Sequence, residues 1–80
     1  MRTVHDPAYV RLASALHARR LALGLTQEDI ARKLGVSRTF IVRTEQRERR
    51  LDILETYKLL RVLKMRLAAV ERLLAGGKRP

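Results

Sequence analysis

The sequence predicts an all-α domain of short helices built around a helix-turn-helix, and three observations predict it. Apolar residues recur at helical spacing in successive short segments. Those segments are bracketed by residues that start or stop helices: Asp6-Pro7, Gly24, Thr26, Gly35, Ser37, Asp52 and Gly76. Between Leu25 and Glu45, two of them are separated only by Gly35, Val36 and Ser37, the short glycine-containing turn of a helix-turn-helix.

Eighty residues make one domain, whose core must come from several short helices sharing one apolar centre. Cysteine is absent, so packing alone must hold it, without disulfides or a thiolate zinc site. His5 and His17 have no carboxylate pair at ligand spacing and read as surface histidines; no metal or cofactor is expected. No apolar run reaches the ~18 residues of a membrane span, and no signal-peptide pattern opens the chain, so a cytoplasmic, nucleoid-associated location is expected and no membrane partner. The balance of 18 Lys and Arg against 8 Asp and Glu gives a formal charge of +10. Such a surplus favours a polyanionic partner, because cationic side chains neutralise phosphates and release condensed counterions.

Residues 1–6 carry no pattern and are expected to form a flexible N-terminal arm; the domain proper is expected over 7–75, with the helix-turn-helix at about 26–45 and a flexible basic tail at 76–80. Asp6 offers a capping acceptor and Pro7 a preset φ, starting a first helix that runs to about Leu23 with Leu12, Ala13, Leu16 and Leu23 inward and Arg11 and Arg19 pointing away. Gly24 closes it. Thr26 caps a second helix from Gln27, with acidic Glu28 and Asp29 in the turn where the helix dipole favours them. Ile30, Ala31 and Leu34 form its inner face until Gly35 stops it. Ser37 caps a third helix, 38–45, in which Phe40, Ile41 and Thr44 follow helical spacing. A charged surface loop, residues 46–50, leads to Asp52, which caps a fourth helix with Ile53, Tyr57, Leu60 and Leu63 on one face. A fifth is expected from about Arg66 to Ala75, carrying Leu67, Val70, Leu73 and Leu74; one long helix from Ile53 to Ala75 is the alternative.

Leu25 to Glu45, L-T-Q-E-D-I-A-R-K-L-G-V-S-R-T-F-I-V-R-T-E, resembles the helix-turn-helix of the Cro and phage-repressor family, also called the xenobiotic-response-element family. Gly24 through Ser37 fit its pattern almost residue by residue, and Glu48-Arg49-Arg50-Leu51-Asp52 resembles the run that opens the fourth helix in many small bacterial members. Two positions depart: Thr44 stands where the family carries a larger apolar residue, and Arg47 where it commonly has glycine. The resemblance implies a five-helix lambda-repressor-like DNA-binding domain. It also implies a break near Lys64 and a bridge between Arg20 and Glu45.

In such a motif the second helix enters the major groove with its N-terminal residues at base edges. The resemblance implies base contacts from Arg38, Thr39 and Arg43. Arginine matches guanine O6 and N7 as a fork, and threonine offers a hydroxyl or a methyl. Val42 joins them as an apolar residue on the outward side, suited to a thymine methyl, since Ile41 takes the inward position. Phosphate contacts are expected from Gln27, Ser37, Gln46, Arg47 and Arg49.

No nucleophile beside a histidine, no paired carboxylates and no glycine-rich phosphate loop occur, so no enzyme is expected. The expected function is that of a sequence-specific double-stranded-DNA-binding transcriptional regulator, a repressor, acting as a homodimer. Leu67, Val70, Leu73 and Leu74 exceed what one short helix needs to close a small core and are the expected pairing surface. The alternative is an antitoxin-type interaction module that binds a partner toxin, or another regulator, as well as its own operator. RNA binding rests on charge alone, because three aromatic residues provide no stacking platform.

Overall fold

The computed structural model describes residues 3–76, so Met1 and Arg2 of the arm and residues 77–80 of the tail lie outside the described residues. Over the described residues the protein is all-α, with five helices: α1 Pro7–Ala22, α2 Gln27–Leu34, α3 Arg38–Glu45, α4 Ile53–Leu63 and α5 Leu67–Leu74.

Local chemistry starts four of them. The Asp6 carboxylate accepts from the Ala8 N–H at 2.9 Å, with Pro7 in the first turn of α1. Thr26 and Asp29 form a reciprocal capping box at α2, Ser37 accepts from the Phe40 N–H at 3.1 Å at α3, and Asp52 and Glu55 form a second box at α4. The N-cap of α5, Arg66, makes no side-chain cap bond. At Gly35 φ is +71°, which lets α2 stop and turn into α3 within a few residues.

Two further corners use residues that seldom adopt positive φ. Lys64, at φ 57°, ends α4 and separates it from α5, which decides against the single long helix. Arg47, at φ 61°, follows α3 where the family commonly has glycine. Its carbonyl accepts from the Val4 N–H at 2.7 Å and its Nη1 donates to the Val4 carbonyl at 2.9 Å. Val4, placed by sequence in a flexible arm, is therefore tied to the end of α3 and rests on the core. The following loop is threaded by a side chain of α1. The Tyr9 hydroxyl donates to the Arg49 carbonyl at 3.2 Å and accepts from the Leu51 N–H at 3.0 Å.

Tyr9, Leu12, Ala13 and Leu16 of α1 meet Ile30, Ala31, Ile41, Leu59, Leu60, Leu63 and Val70 in one core. Two assignments are corrected. On α4 the buried stripe is Thr56, Leu59, Leu60 and Leu63, whereas Ile53 and Tyr57 are 71% and 50% exposed. Apolar residues occur on more than one face of this helix, so spacing alone selects the wrong stripe, and docking against α1 and α2 decides. On α5, Val70 is buried and Leu73 packs against the core, which removes both from a free surface; Leu67 and Leu74 remain exposed.

Arg19 does not point away, and Arg11, though exposed, is bonded to α5. Arg11 donates from Nε to the Leu73 carbonyl at 2.7 Å and from Nη2 to the Leu74 carbonyl at 2.9 Å. Half-buried Arg19 donates from Nε to the Leu63 carbonyl at 2.9 Å and from Nη2 to the Lys64 carbonyl at 3.4 Å. Beside Thr44, whose hydroxyl donates to the Phe40 carbonyl at 2.8 Å, the core retains a mainly apolar cavity of about 20 Å³.

Candidate nucleic-acid interface

α2 and α3 pack on one another across the Gly35 turn, burying Ile30 and Ala31 from the first and Ile41 and Thr44 from the second. Four other residues of α3 face outward. Arg38, Thr39 and Arg43 are exposed, and Val42 is half-buried and outside the core. With 3.6 residues per turn, these four fall within an arc of about 140° and the two buried residues fall opposite it. Ser37, also exposed, spends its hydroxyl on the Phe40 N–H. That leaves earlier first-turn N–H groups without intrahelical partners, as at any helix start.

The angle at which α3 leaves the body is held at its last residue. Arg20, 8% exposed, donates from Nε to Glu45 Oε2, at 2.6 Å, and from Nη2 to Oε1, at 3.1 Å, while its Nη1 donates to the Leu25 carbonyl at 2.8 Å. Glu45 Oε1 also accepts from Gln27 Nε2 at 3.0 Å and lies 3.0 Å from His17 Nδ1. Burial pushes the Glu45 carboxyl up, but hydrogen bonds from Arg20, Gln27 and His17 and the Arg20 charge outweigh it and hold the group below its ordinary range. The sole carboxylate of α3 is thus neutralised internally, and Arg38 and Arg43 set the sign of the outward face.

The expected phosphate contacts divide. Gln27 keeps one amide N–H while giving the other to Glu45, and Gln46 is exposed at the end of α3. Arg47 and Arg49 are instead engaged within the protein. Arg47, turned back by its positive φ, bonds the Val4 carbonyl. Arg49 forms a fork on Glu55, at 3.0 and 3.2 Å, and stacks over Phe40 with its guanidinium carbon 4.2 Å from the ring centre. Both side chains thereby shape the loop that follows α3. Phe40 itself packs against the core.

His17 and Gln27 as partners of Glu45 were missed in the sequence. The signal for His17 was present: it lies one turn before Arg20 on the same face of α1, so a group that reaches Arg20 also reaches His17. Nothing comparable marks Gln27, since its meeting with Glu45 depends on how α2 crosses α3.

A helix-turn-helix family model matches residues 16–70 of the chain. Among solved structures, a crystal structure of a tyrosine-to-phenylalanine variant of the restriction-modification controller protein C.Esp1396I is similar, with a TM-score of 0.78, 26% identity, and coverage of 92% of this chain and 94% of that one. No curated protein sequence matches. Among the described residues no helix is long and apolar enough to cross a membrane. The matched residues contain both helices of the motif and the outward face of α3, and the chain belongs to the Cro and phage-repressor type of helix-turn-helix family, the DNA-binding transcriptional regulators.

Proposed function

We propose that the protein binds a specific double-stranded DNA sequence as a homodimer and represses transcription by occupying a promoter. The observation that carries this is the bare face of α3. Arg38, Thr39, Val42 and Arg43 share one arc, the first, second and fourth of them exposed and Val42 half-buried, and the helix is locked in place by the Arg20–Glu45 pair. Arg38 and Arg43 read guanine edges, Thr39 and Val42 supply methyl contacts, and Gln27, Ser37 and Gln46 hold phosphates beside the groove.

A single domain of this size reads few base pairs, and two half-sites about 34–36 Å apart supply the missing discrimination. Leu67 and Leu74 of α5, 56% and 45% exposed, line one shallow groove with Ile53 of α4, and this surface suits a self-complementary contact. The likeness to a restriction-modification controller protein supports a role in gene control. An antitoxin-type partner would occupy the same apolar groove. It is the reading to adopt if the isolated chain neither pairs nor binds duplex DNA until a co-expressed neighbour is added.

Selection of bound duplexes from a random pool, followed by fluorescence anisotropy, tests the assignment. Arg38→Ala and Arg43→Ala each weaken cognate binding by ~1–3 kcal/mol and non-cognate binding much less, whereas Gln46→Ala weakens both alike. Sequence preference left intact in both arginine variants would remove α3 from the reading role. Repression is checked with a reporter whose promoter overlaps the selected site; a reporter that the protein leaves unchanged or activates overturns it.

A further inference from the structure

Three arginines of α1 each reach the end of a different helix. Arg11 forks onto the last carbonyls of α5, Arg19 onto the carbonyls of Leu63 and Lys64 where α4 ends, and Arg20 onto Glu45, the last residue of α3. The guanidinium groups of Arg11 and Arg19 sit at the negative end of a helix, where carbonyls lack intrahelical partners and the dipole favours a cation, and Arg20 pairs with the side-chain carboxylate that ends α3. One helix therefore fastens the closing turns of three others.

α5 depends on this most. At eight residues it is shorter than the ~12 that an isolated helix needs to hold itself, and it has no side-chain N-cap. It packs mainly on α1, through Val70 and Leu73. The Arg11 fork closes the turn that carries exposed Leu74. The surface offered to a second copy and the helix offered to DNA are thus aligned on the same rod, one by Arg11 and the other by Arg20.

We propose that Arg11 is a positioning residue for half-site spacing: by fixing α5 to α1 it sets the separation of the two recognition helices in the paired protein, without touching DNA. The proposal rests on the homodimer reading above. In it, base preference belongs to α3, and tolerance for a longer or shorter spacer belongs to the stiffness of the α1–α5 joint.

The full chain is measured on operators whose spacer is lengthened or shortened by single base pairs, on a lone half-site, and by amide hydrogen exchange. Wild type prefers one spacing sharply. Arg11→Ala speeds exchange of α5 amides by on the order of tenfold, the effect of losing a charge-assisted hydrogen bond, flattens the spacing profile, and leaves half-site affinity and base preference as in wild type. Arg11→Lys, which keeps the charge but loses the fork, falls between them and carries the test if Arg11→Ala is unfolded by circular dichroism. A dimeric wild type with sharp spacing that both Arg11 variants reproduce overturns the role of Arg11, as does unchanged α5 exchange. A wild type that stays monomeric free and on DNA overturns the homodimer reading itself, and with it the spacing role.

Discussion

Replacing Arg20 by methionine keeps most of the buried stem and removes the guanidinium. Glu45 would lose both bonds of the fork, and the Leu25 carbonyl would lose its donor. Gln27 and His17 would still face one carboxylate oxygen, so the stranded charge is only partly uncompensated. The expected cost lies at the lower end of the range for breaking a buried pair, about 3 kcal/mol. At about 4–8 °C per kcal/mol for a domain of this size, the melting temperature falls by at least about 12 °C. The double variant Arg20→Met, Glu45→Met removes both charges and recovers most of the loss, because an intact buried pair adds little beyond an apolar replacement of similar volume. Thermal unfolding of the four proteins by circular dichroism, with the coupling taken from the cycle, decides the matter. A drop below about 4 °C for Arg20→Met, or a double variant no more stable than either single one, would refute the reasoning.

Stability should also depend on acid through the same group. The folded-state pKa of Glu45 lies below its ordinary 4.5, so its contribution is complete above that value and is lost as pH falls through the folded value; Glu45→Gln lacks this part of the acid dependence in denaturant titrations at stepped pH. Thr44→Ile extends a side chain toward the cavity of about 20 Å³ and should gain about 0.5 kcal/mol at ~24 cal/mol per Å³ filled, read from the urea midpoint; a loss would show that the cavity cannot admit the added carbon. Arg19→Ala should cost about 1–3 kcal/mol by uncapping α4, against at most ~0.5 kcal/mol for exposed Lys33→Ala, and equal melting temperatures would refute the capping role.

The motif was legible because its instructions are local. Thr26, Asp29, Gly35 and Ser37 act within three residues of themselves, through caps and a positive φ that residue type alone announces. The corners at Arg47 and Lys64 carry no such announcement. Neither side chain favours the left-handed region, so tertiary bonds select those turns, and only family resemblance pointed to the second. The inward stripe of α4 was misread at Ile53 and Tyr57 because several stripes of that helix are apolar. Of the interface, Arg38, Thr39 and Arg43 followed from the family resemblance, and Val42 from helical spacing once Ile41 was placed inside. The internal duties of Arg11 and Arg19 did not follow, because a carbonyl at the end of a distant helix leaves no trace in residue type, and those of Arg47 and Arg49 depend on how the loop after α3 turns. Arg47 and Arg49 are expected at phosphates from the sequence, and within the fold they bond the Val4 carbonyl and the Glu55 carboxylate.

Surface loops ordinarily absorb insertions and deletions, yet the segment between α3 and α4 is pinned along its length: at Arg47 by Val4, at Arg49 by Glu55 and Phe40, and on either side of Arg50 by the Tyr9 hydroxyl. One oxygen atom spanning the backbone of Arg49 and Leu51 acts as a gauge that admits a single intervening residue. Adding or removing a residue here would unseat Tyr9 from the core and Val4 from the end of α3 together. Among chains that keep this tyrosine, relatives should therefore hold the length of this loop more strictly than its letters.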